Sequence, residues 1–446
     1  MEMVVGKMSE ITTYEKTKDS GIEWIGSVPS HWRVHTLYQL VTQVKGKNSN
    51  LQEKNLLSLS YGKIKRKDID SPDGLLPASF DGYNIIEAGD IVLRLTDLQN
   101  DHTSLRVGLA TERGIITSAY TTLRPIDTSN SKYLYYLLHA FDLKKGFYGM
   151  GSGVRQGLNY AEVKELRVVL PSQDEQNAIV CFLDKQCGKI DSIIEETKSA
   201  IEEYKCWKAS MILEAVTRGV IPDRKMKKCD LEWISEIPFT WKTDRLKALF
   251  AFGKGLSITK ENLVDKGIPV ISYGQIHAKY NTGTSITESL FRYVPDSYIE
   301  SNPDSLVHKG DILVADTSED IDGCGNSVYI DKEMPLFAGY HTIILKSINQ
   351  DDNKYLAYLF KSDVWRSQIR TRVSGVKLFS ISKKILNFAT VIIPPKEEQE
   401  EITRFLDEKC ELIDTLIENK QALMIDLETY KRSLIYEVVT GKRKVV

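Results

Sequence analysis

A chain of 446 residues, 42% of them hydrophobic, has enough apolar surface for two or three domains rather than one core. Its longest apolar stretches, such as Phe388 to Ile393, fall far short of the roughly 20 residues a membrane span needs, and the N-terminus has no apolar signal core, so a cytoplasmic protein without a membrane partner is expected. The formal charge of −2 argues against a nucleic-acid ligand only until it is divided along the chain: Ser172 to Thr217 holds five basic and nine acidic residues, Lys396 to Val439 six and twelve, and the rest therefore carries +8.

In chain order, a polar tail (1–18) precedes Ile22-Glu-Trp-Ile-Gly-Ser-Val-Pro-Ser-His-Trp32, a stretch that returns as Leu231-Glu-Trp-Ile-Ser-Glu-Ile-Pro-Phe-Thr-Trp241. The repeat then continues in order. Ser60-Tyr-Gly-Lys-Ile64 is answered by Ser272-Tyr-Gly-Gln-Ile276, Gly89-Asp-Ile91 by Gly310-Asp-Ile312, and Lys132-Tyr-Leu134 by Lys354-Tyr-Leu356. Ser152-Gly-Val154 pairs with Ser374-Gly-Val376 and Phe182-Leu-Asp184 with Phe405-Leu-Asp407. The chain is thus a tandem duplication. Within each half, Gly-Asp-Ile reads as a turn into a strand, and Lys132 to Ala140 and Lys354 to Lys361 have helical spacing, which predicts α+β units. Trp24, Trp32, Trp233 and Trp241 are expected as core anchors.

The end of each half is periodic in another way. Ile179, Leu183, Cys187, Ile190, Ile194, Thr197, Ile201, Tyr204, Lys208, Met211 and Ala215 recur at alternating threes and fours, and Ile402 to Val438 repeats the seam. Two equally long seams in one chain predict two long helices packed as an antiparallel coiled coil roughly 60 Å long, with a pseudo-twofold relation between the halves. The expected boundaries are a first domain at 19–171, a helix at 172–219, a linker at 220–230, a second domain at 231–393 and a second helix at 394–441.

The machinery of a DNA enzyme is missing from the sequence. It has no Gly-x-x-x-x-Gly-Lys-Ser/Thr phosphate loop and no Asn/Asp-Pro-Pro-aromatic methylation motif. Pro72-Asp73, Pro222-Asp223, Pro295-Asp296 and Pro303-Asp304 lack a Glu-x-Lys partner nearby for a magnesium-dependent nuclease. Six cysteines form no Cys-x-x-Cys pair, and His31 with His35 has no further ligand close in sequence, so no metal site is expected.

The motif set resembles the specificity subunits of type I restriction-modification systems. Its marks stand at Trp24 to Trp32, Gly89-Asp-Ile91, Ser152-Gly-Val-Arg155 and Pro171-Ser-Gln-Asp-Glu-Gln176, and again at Trp233 to Trp241, Gly310-Asp-Ile312, Ser374-Gly-Val-Lys377 and Pro394-Pro-Lys-Glu-Glu-Gln399. The resemblance implies two target-recognition domains, each reading one half of a bipartite, asymmetric site in double-stranded DNA, held apart by helices that set the gap. It also implies a non-catalytic chain without a cofactor of its own. Two methyltransferase subunits with S-adenosylmethionine would dock on it, and ATP-dependent motor-nuclease subunits with ATP and Mg would join them. A self-contained DNA enzyme with a diverged site is the alternative, and a structural adaptor without a DNA role is a third reading.

For DNA contacts, the Ser-Gly loops set Arg155 and Lys377 beside small residues, where a cation can reach a phosphate or a guanine edge, with Gln156 able to pair adenine. Tyr61, Lys63 and Lys65, answered by Tyr273, Gln275 and His277, are expected to alternate along a short strand and line one face.

Overall fold

The stretch that opens each half folds as a β-hairpin followed by a fully buried tryptophan, Trp32 or Trp241. The structure is a computed structural model that describes residues 12–69, 77, 79–98, 101, 103, 105–150, 157–349, 352–375 and 377–445. The chain divides into unit 1, residues 1–198 with 421–446, and unit 2, residues 199–420.

Unit 1 contains β1 (Thr17–Asp19), β2 (Ser27–Pro29), β3 (Arg33–Thr36), β4 (Val41–Gln43), β5 (Leu57–Ser60), β6 (Lys63–Arg66), β7 (Asn84–Ile86) and β8 (Ile91–Leu93). It continues with β9 (Val107–Leu109), β10 (Gly114–Ile116), β11 (Thr121–Pro125), helices α1 (Ser131–Leu143) and α2 (Tyr160–Val163), β12 (Arg167–Leu170) and the first part of α3 (Gln173–Arg218). The central sheet has the order β4-β11-β8-β9. Beside it β3 pairs antiparallel with β12, and β5 with β6.

Unit 2 repeats this plan. It holds β13 (Met226–Leu231), β14 (Ile234–Pro238), β15 (Lys242–Arg245), α4 (Leu246–Leu249), β16 (Phe250–Lys254), β17 (Ile268–Ile271), α5 (Tyr273–Ile276), β18 (Arg292–Val294), α6 (Tyr298–Ser301) and β19 (Ile312–Ala315). Then come β20 (Thr317–Ser318), β21 (Ser327–Tyr329), β22 (Phe337–Ala338), β23 (Thr342–Ser347), α7 (Lys354–Lys361), α8 (Asp363–Arg370), β24 (Phe379–Ser380), α9 (Lys383–Phe388), β25 (Thr390–Ile393) and α10 (Lys396–Val439). Its central sheet, β16-β23-β19-β21, matches that of unit 1, and β15 pairs with β25 as β3 does with β12.

The repeated motifs have physical reasons. Gly89 and Gly310 lie at φ +95° and +98°, a left-handed turn that a Cβ disfavours, and the following aspartate closes the turn. Asp90 accepts from the Glu87 N–H and takes the Arg124 guanidinium bidentately at 2.6 and 2.7 Å. Asp311 accepts from the His308 N–H in the same way, and takes the Ser347 N–H where Asp90 takes Arg124. The Phe-Leu-Asp motif supplies a receptor for α1 and α7: Asp184 receives the Tyr136 hydroxyl (2.7 Å) and Lys132 (2.6 Å), and Asp407 receives Tyr358 (2.7 Å) and Lys354 (2.6 Å). At the helix starts, the Gln176 and Gln399 amides donate to the carbonyls of Pro171 and Pro394, satisfying acceptors beside the first turn.

In unit 1, Tyr133, Leu134, Leu137 and Leu138 of α1 meet Ile91, Leu93 and Leu123 of the sheet together with Ile179, Leu183 and Cys187 of α3. Leu434, Ile435, Val438 and Val439 of α10 join the same core, and the buried Tyr133 hydroxyl donates to the carbonyls of Val169 and Val439. Unit 2 uses Tyr355, Leu356, Leu359 and Phe360 with Ile402, Leu406 and Cys410 of α10, joined by Ile212, Ala215 and Val216 of α3, and Tyr355 donates to the carbonyl of Val216. Emptying the space of one buried Trp, as in Trp32→Ala or Trp241→Ala, costs about 3–5 kcal/mol. Trp233 is also buried and Trp24 half-buried, as expected of anchors.

Two expectations need revision. The segment read as a tail contributes β1 from Thr17, and the segment read as a linker contributes most of β13. Both are edge strands: β1, Thr-Lys-Asp, is wholly polar, and in β13, Met-Lys-Lys-Cys-Asp-Leu, the apolar residues fall at irregular spacing, so no apolar alternation marks either. The second revision concerns the strand expected through Tyr273, Gln275 and His277, which is taken up with the site.

Candidate nucleic-acid interface

In unit 1 the β5–β6 hairpin turns through Tyr61 and Gly62, both at positive φ (48° and 75°), between the paired residues Ser60 and Lys63. That is the two-residue turn whose twist suits a hairpin. The pairing places Leu57, Leu59 and Ile64 on one face, where they pack in a small core with Ile86, Val92 and Ile116. Lys63 and Lys65 are exposed on the opposite face with Ser58 and Ser60, and Tyr61 stands 78% exposed at the tip. Neither lysine has an ion-pair partner among the described residues. The hairpin is anchored instead by Arg66, which hydrogen-bonds Glu112 through Nε at 2.8 Å and holds that carboxyl below the usual carboxylate range. A Cβ on Gly62 would lie 3.1 Å from that of Leu105, so the tip sits against the residues that lead into β9. Tyr61 itself is in the turn rather than the strand; Lys63 and Lys65 are on the strand as expected. Arg155 and Gln156 lie outside the described residues.

Unit 2 departs from the expectation. Ser272 to Ile276 begins a helical turn, α5, because the Gln275 side chain reaches back to accept the Ser272 N–H at 3.1 Å, a capping arrangement that a strand cannot offer. Gln275 is thereby engaged with backbone. Tyr273 packs edge-on against Tyr340 and His341, at 5.5 and 5.4 Å between ring centroids, and His277 lies 6.2 Å away. His277 meets the Thr317 carbonyl through Nε2 (2.8 Å) and the Asn326 amide nitrogen through Nδ1 (3.1 Å), which assigns its proton to Nε2.

The remaining member, Lys377, hangs from the same edge. Thr317 pairs with Ser380 in the β20–β24 ribbon, and the Ile381 N–H donates to the Asp316 carbonyl, so the chain through Lys377 runs beside the residue that holds His277. A Cβ on Gly375 would meet the Leu378 carbonyl oxygen at 2.0 Å, which is why the Ser-Gly motif needs its glycine. Lys377 is exposed and has no ion-pair partner among the described residues. Tyr273, His277, Ser318, Asp320, Asn326 and Arg366 line a cavity of about 590 Å³ at this edge.

Sequence reasoning missed the segments between β8 and β9 and between β19 and β21. They carry Thr96 and Asp97 in unit 1 and Glu319 to Asp322 in unit 2, all exposed. Their available signal was a polar run between two buried strands. The described residues contain no group of three or more His, Cys, Asp or Glu side chains arranged for a metal ion, and no helix among them is long and apolar enough to cross a membrane.

The architecture is a tandem repeat: two α+β units of one plan, each presenting an edge of loops and aromatic or basic side chains, with a long helix following each. The model of the type I restriction modification DNA specificity domain matches residues 79–203 and 238–424, more than half of the chain. The MjaVIII type I restriction enzyme specificity subunit of Methanocaldococcus jannaschii is 23% identical over 427 residues, covering 94% of each chain. A putative MjaX specificity subunit of the same organism is 23% identical over 443 residues, covering 94% of this chain and 96% of the relative. Among solved structures, a chain of a type I restriction-modification system superposes with a TM-score of 0.67 at 15% identity, over 92% of this chain and 98% of the other. The HsdS subunit of Thermoanaerobacter tengcongensis gives 0.51 at 14% identity, over 93% and 98%. The chain belongs to the family of type I restriction-modification specificity subunits, and its role is that of a DNA sequence-specificity subunit.

Proposed function

We propose that each unit reads one half of a bipartite, asymmetric site in double-stranded DNA, and that α3 and α10 set the gap between the half-sites as an antiparallel, pseudo-twofold pair. The observation that carries this reading is the duplication at the level of single hydrogen bonds: Tyr136–Asp184 answers Tyr358–Asp407, and Gln176–Pro171 answers Gln399–Pro394. The frameworks are shared while the edges differ, a Tyr-Lys-Lys hairpin in one unit and a capped helical turn ending at His277 in the other, which suits two unlike half-sites. The antiparallel reading is supported by ion pairs in opposite order along the helices, Asp191 with Lys431 and Lys208 with Asp414, each at 2.6 Å.

On this reading the chain works in the cytoplasm and is not itself an enzyme. Two methyltransferase subunits dock on the helices and bring S-adenosylmethionine, and motor-nuclease subunits bring ATP and Mg. The purified chain is then expected neither to methylate nor to cut DNA, and to direct methylation to a bipartite sequence once a methyltransferase subunit is added. Methyl transfer by the chain alone would favour a self-contained enzyme. Methylation without sequence preference in the full complex would leave only an adaptor.

A further inference from the structure

The chain just before β9 carries a fully buried arginine, Arg106, in unit 1. All five of its side-chain N–H donors are used. Nη1 donates to the carbonyls of Arg94 (3.1 Å) and Thr96 (2.8 Å), Nη2 to those of Asp97 (3.3 Å) and Asp101 (2.5 Å), and Nε to the Tyr148 hydroxyl (3.0 Å). The Tyr148 hydroxyl in turn donates to the Asp101 carbonyl at 2.9 Å. The Arg106 backbone N–H donates to Asp142 Oδ2 at 2.6 Å, and no carboxylate takes the guanidinium among the described residues. A buried charge of this kind is a poor way to fill space, since an apolar side chain would do so without desolvating a cation. What it does do is collect four carbonyls of one loop on a single rigid plane.

The loop so held is adjacent to the β5–β6 hairpin of unit 1. Leu105 lies under Gly62 at the hairpin tip, and the Leu158 N–H donates to the Leu95 carbonyl. Because the carbonyls turn inward to Arg106 and Leu95 and Leu98 are buried, the Thr96 and Asp97 side chains are left outside.

Unit 2 clamps the matching loop from another element. Ile91 pairs with Leu109 and Ile312 with Tyr329, which puts Asn326 at the register position of Arg106. Asn326 cannot span a loop. Arg366 of α8 supplies the cation, donating to Asn326 Oδ1 (2.6 Å) and to the Asp322 carbonyl (2.9 Å), while Arg370 donates to the same carbonyl at 2.9 Å.

We infer that Arg106 and Arg366 are positioning residues for sequence recognition, each fixing the shape of a base-reading segment, Arg94 to Leu98 with Asp101 in unit 1 and Asp316 to Asn326 in unit 2. The inference rests on the proposal that each unit reads one half-site. Neither arginine touches DNA in this scheme. Lysine keeps the charge but has a compact ammonium with three donors, so it cannot hold four carbonyls in a plane.

The test uses the full chain assembled with its methyltransferase subunit and reads every methylated site by sequencing, alongside binding competition across single-base variants. Arg106→Lys is expected to lower discrimination roughly tenfold at one or more positions of one half-site, and Arg366→Lys to do the same in the other, with salt dependence unchanged in both. A merely structural role would weaken all sequences alike and leave the base preferences intact, and that result overturns the inference. So does relaxation of the same half-site by both variants. If Arg106→Lys fails to fold, Tyr148→Phe decides for unit 1, since it removes the hydroxyl that joins Arg106 Nε to the Asp101 carbonyl; an unchanged profile there refutes the assignment. A wild-type complex with no bipartite preference would defeat the functional reading as well, whereas an intact wild-type preference that neither variant alters defeats only this inference.

Discussion

The β5–β6 hairpin permits a quantitative test because its two lysines are free of internal duties. Lys63 and Lys65 lie on the exposed face, opposite Leu57, Leu59 and Ile64, and the hairpin is anchored by Arg66 and Glu112 instead. Replacing both with alanine should leave stability within about 0.5 kcal/mol. If each neutralises one backbone phosphate, the slope of log K against log salt should become shallower by about 0.9 per lysine, or about 1.8 for the pair. Between 50 and 200 mM salt the wild-type complex should therefore lose about twelvefold more affinity than the double variant. Fluorescence anisotropy on a DNA duplex carrying the recognised site, titrated at several salt concentrations with the methyltransferase subunit present, measures this directly. A change confined to one base pair would make one lysine a base reader. An unchanged slope together with unchanged preferences would refute the hairpin as a contact surface.

The loop cations give a paired test: Arg155→Ala should impair one half-site and Lys377→Ala the other, by about 1–3 kcal/mol at one position for a base contact and uniformly for a phosphate contact, as competition binding distinguishes. Inserting four residues near Thr197 of α3 adds about 6 Å of helix, and with DNA rising about 3.4 Å per base pair the unread gap should grow by one or two pairs; an active variant that marks the original gap refutes the ruler. Burial lowers Lys361 to about 8, so the stability it contributes is present above its unfolded value and is lost as pH falls through about 8. Lys361→Met should thus raise the melting temperature of unit 2 at pH 7, and the advantage should vanish above pH 10; calorimetry showing no gain at pH 7 would contradict this. His139, the matching residue on α1, is lowered to about 4 by its own burial, so its contribution is present above about 6.5 and lost as pH falls through about 4. His139→Phe should flatten the loss of unit 1 stability between pH 6.5 and 4, which a melting series checks.

Repetition made the framework legible, because each matched motif closes a turn or receives a tyrosine in the same way twice. The helices were legible for a related reason: a seam sustained over some forty residues has few other readings. Local side-chain chemistry defeated the strand assignment at Tyr273. Ser272 and Gln275 stand three apart, the spacing of a capping pair, but the matched Ser60 and Lys63 form a strand pair, and similarity to that half concealed the difference. The edge strands β1 and β13 were hidden because solvent on one side and a short partner on the other leave no apolar alternation to see. Arg106 was invisible for the opposite reason. It stands beside Val107 in an apolar stretch, and nothing in sequence distinguishes an arginine that gathers carbonyls from one that faces water.

The two units are also unequal in the order in which they can be completed. Unit 2 is one unbroken run of chain, whereas the core of unit 1 requires Leu434, Ile435, Val438 and Val439 from the far end of α10. A nascent chain leaving the ribosome therefore has every residue of unit 2 before it has the last turns that unit 1 needs. The half made first closes last, and meanwhile Ile179, Leu183 and Tyr133 await their cover in a state where aggregation competes with folding. Damage to the final turns of α10, by proteolysis or a late frameshift, would consequently be felt not in unit 2, which precedes it in sequence, but in unit 1, some three hundred residues away, where the Tyr133 hydroxyl would lose the Val439 carbonyl.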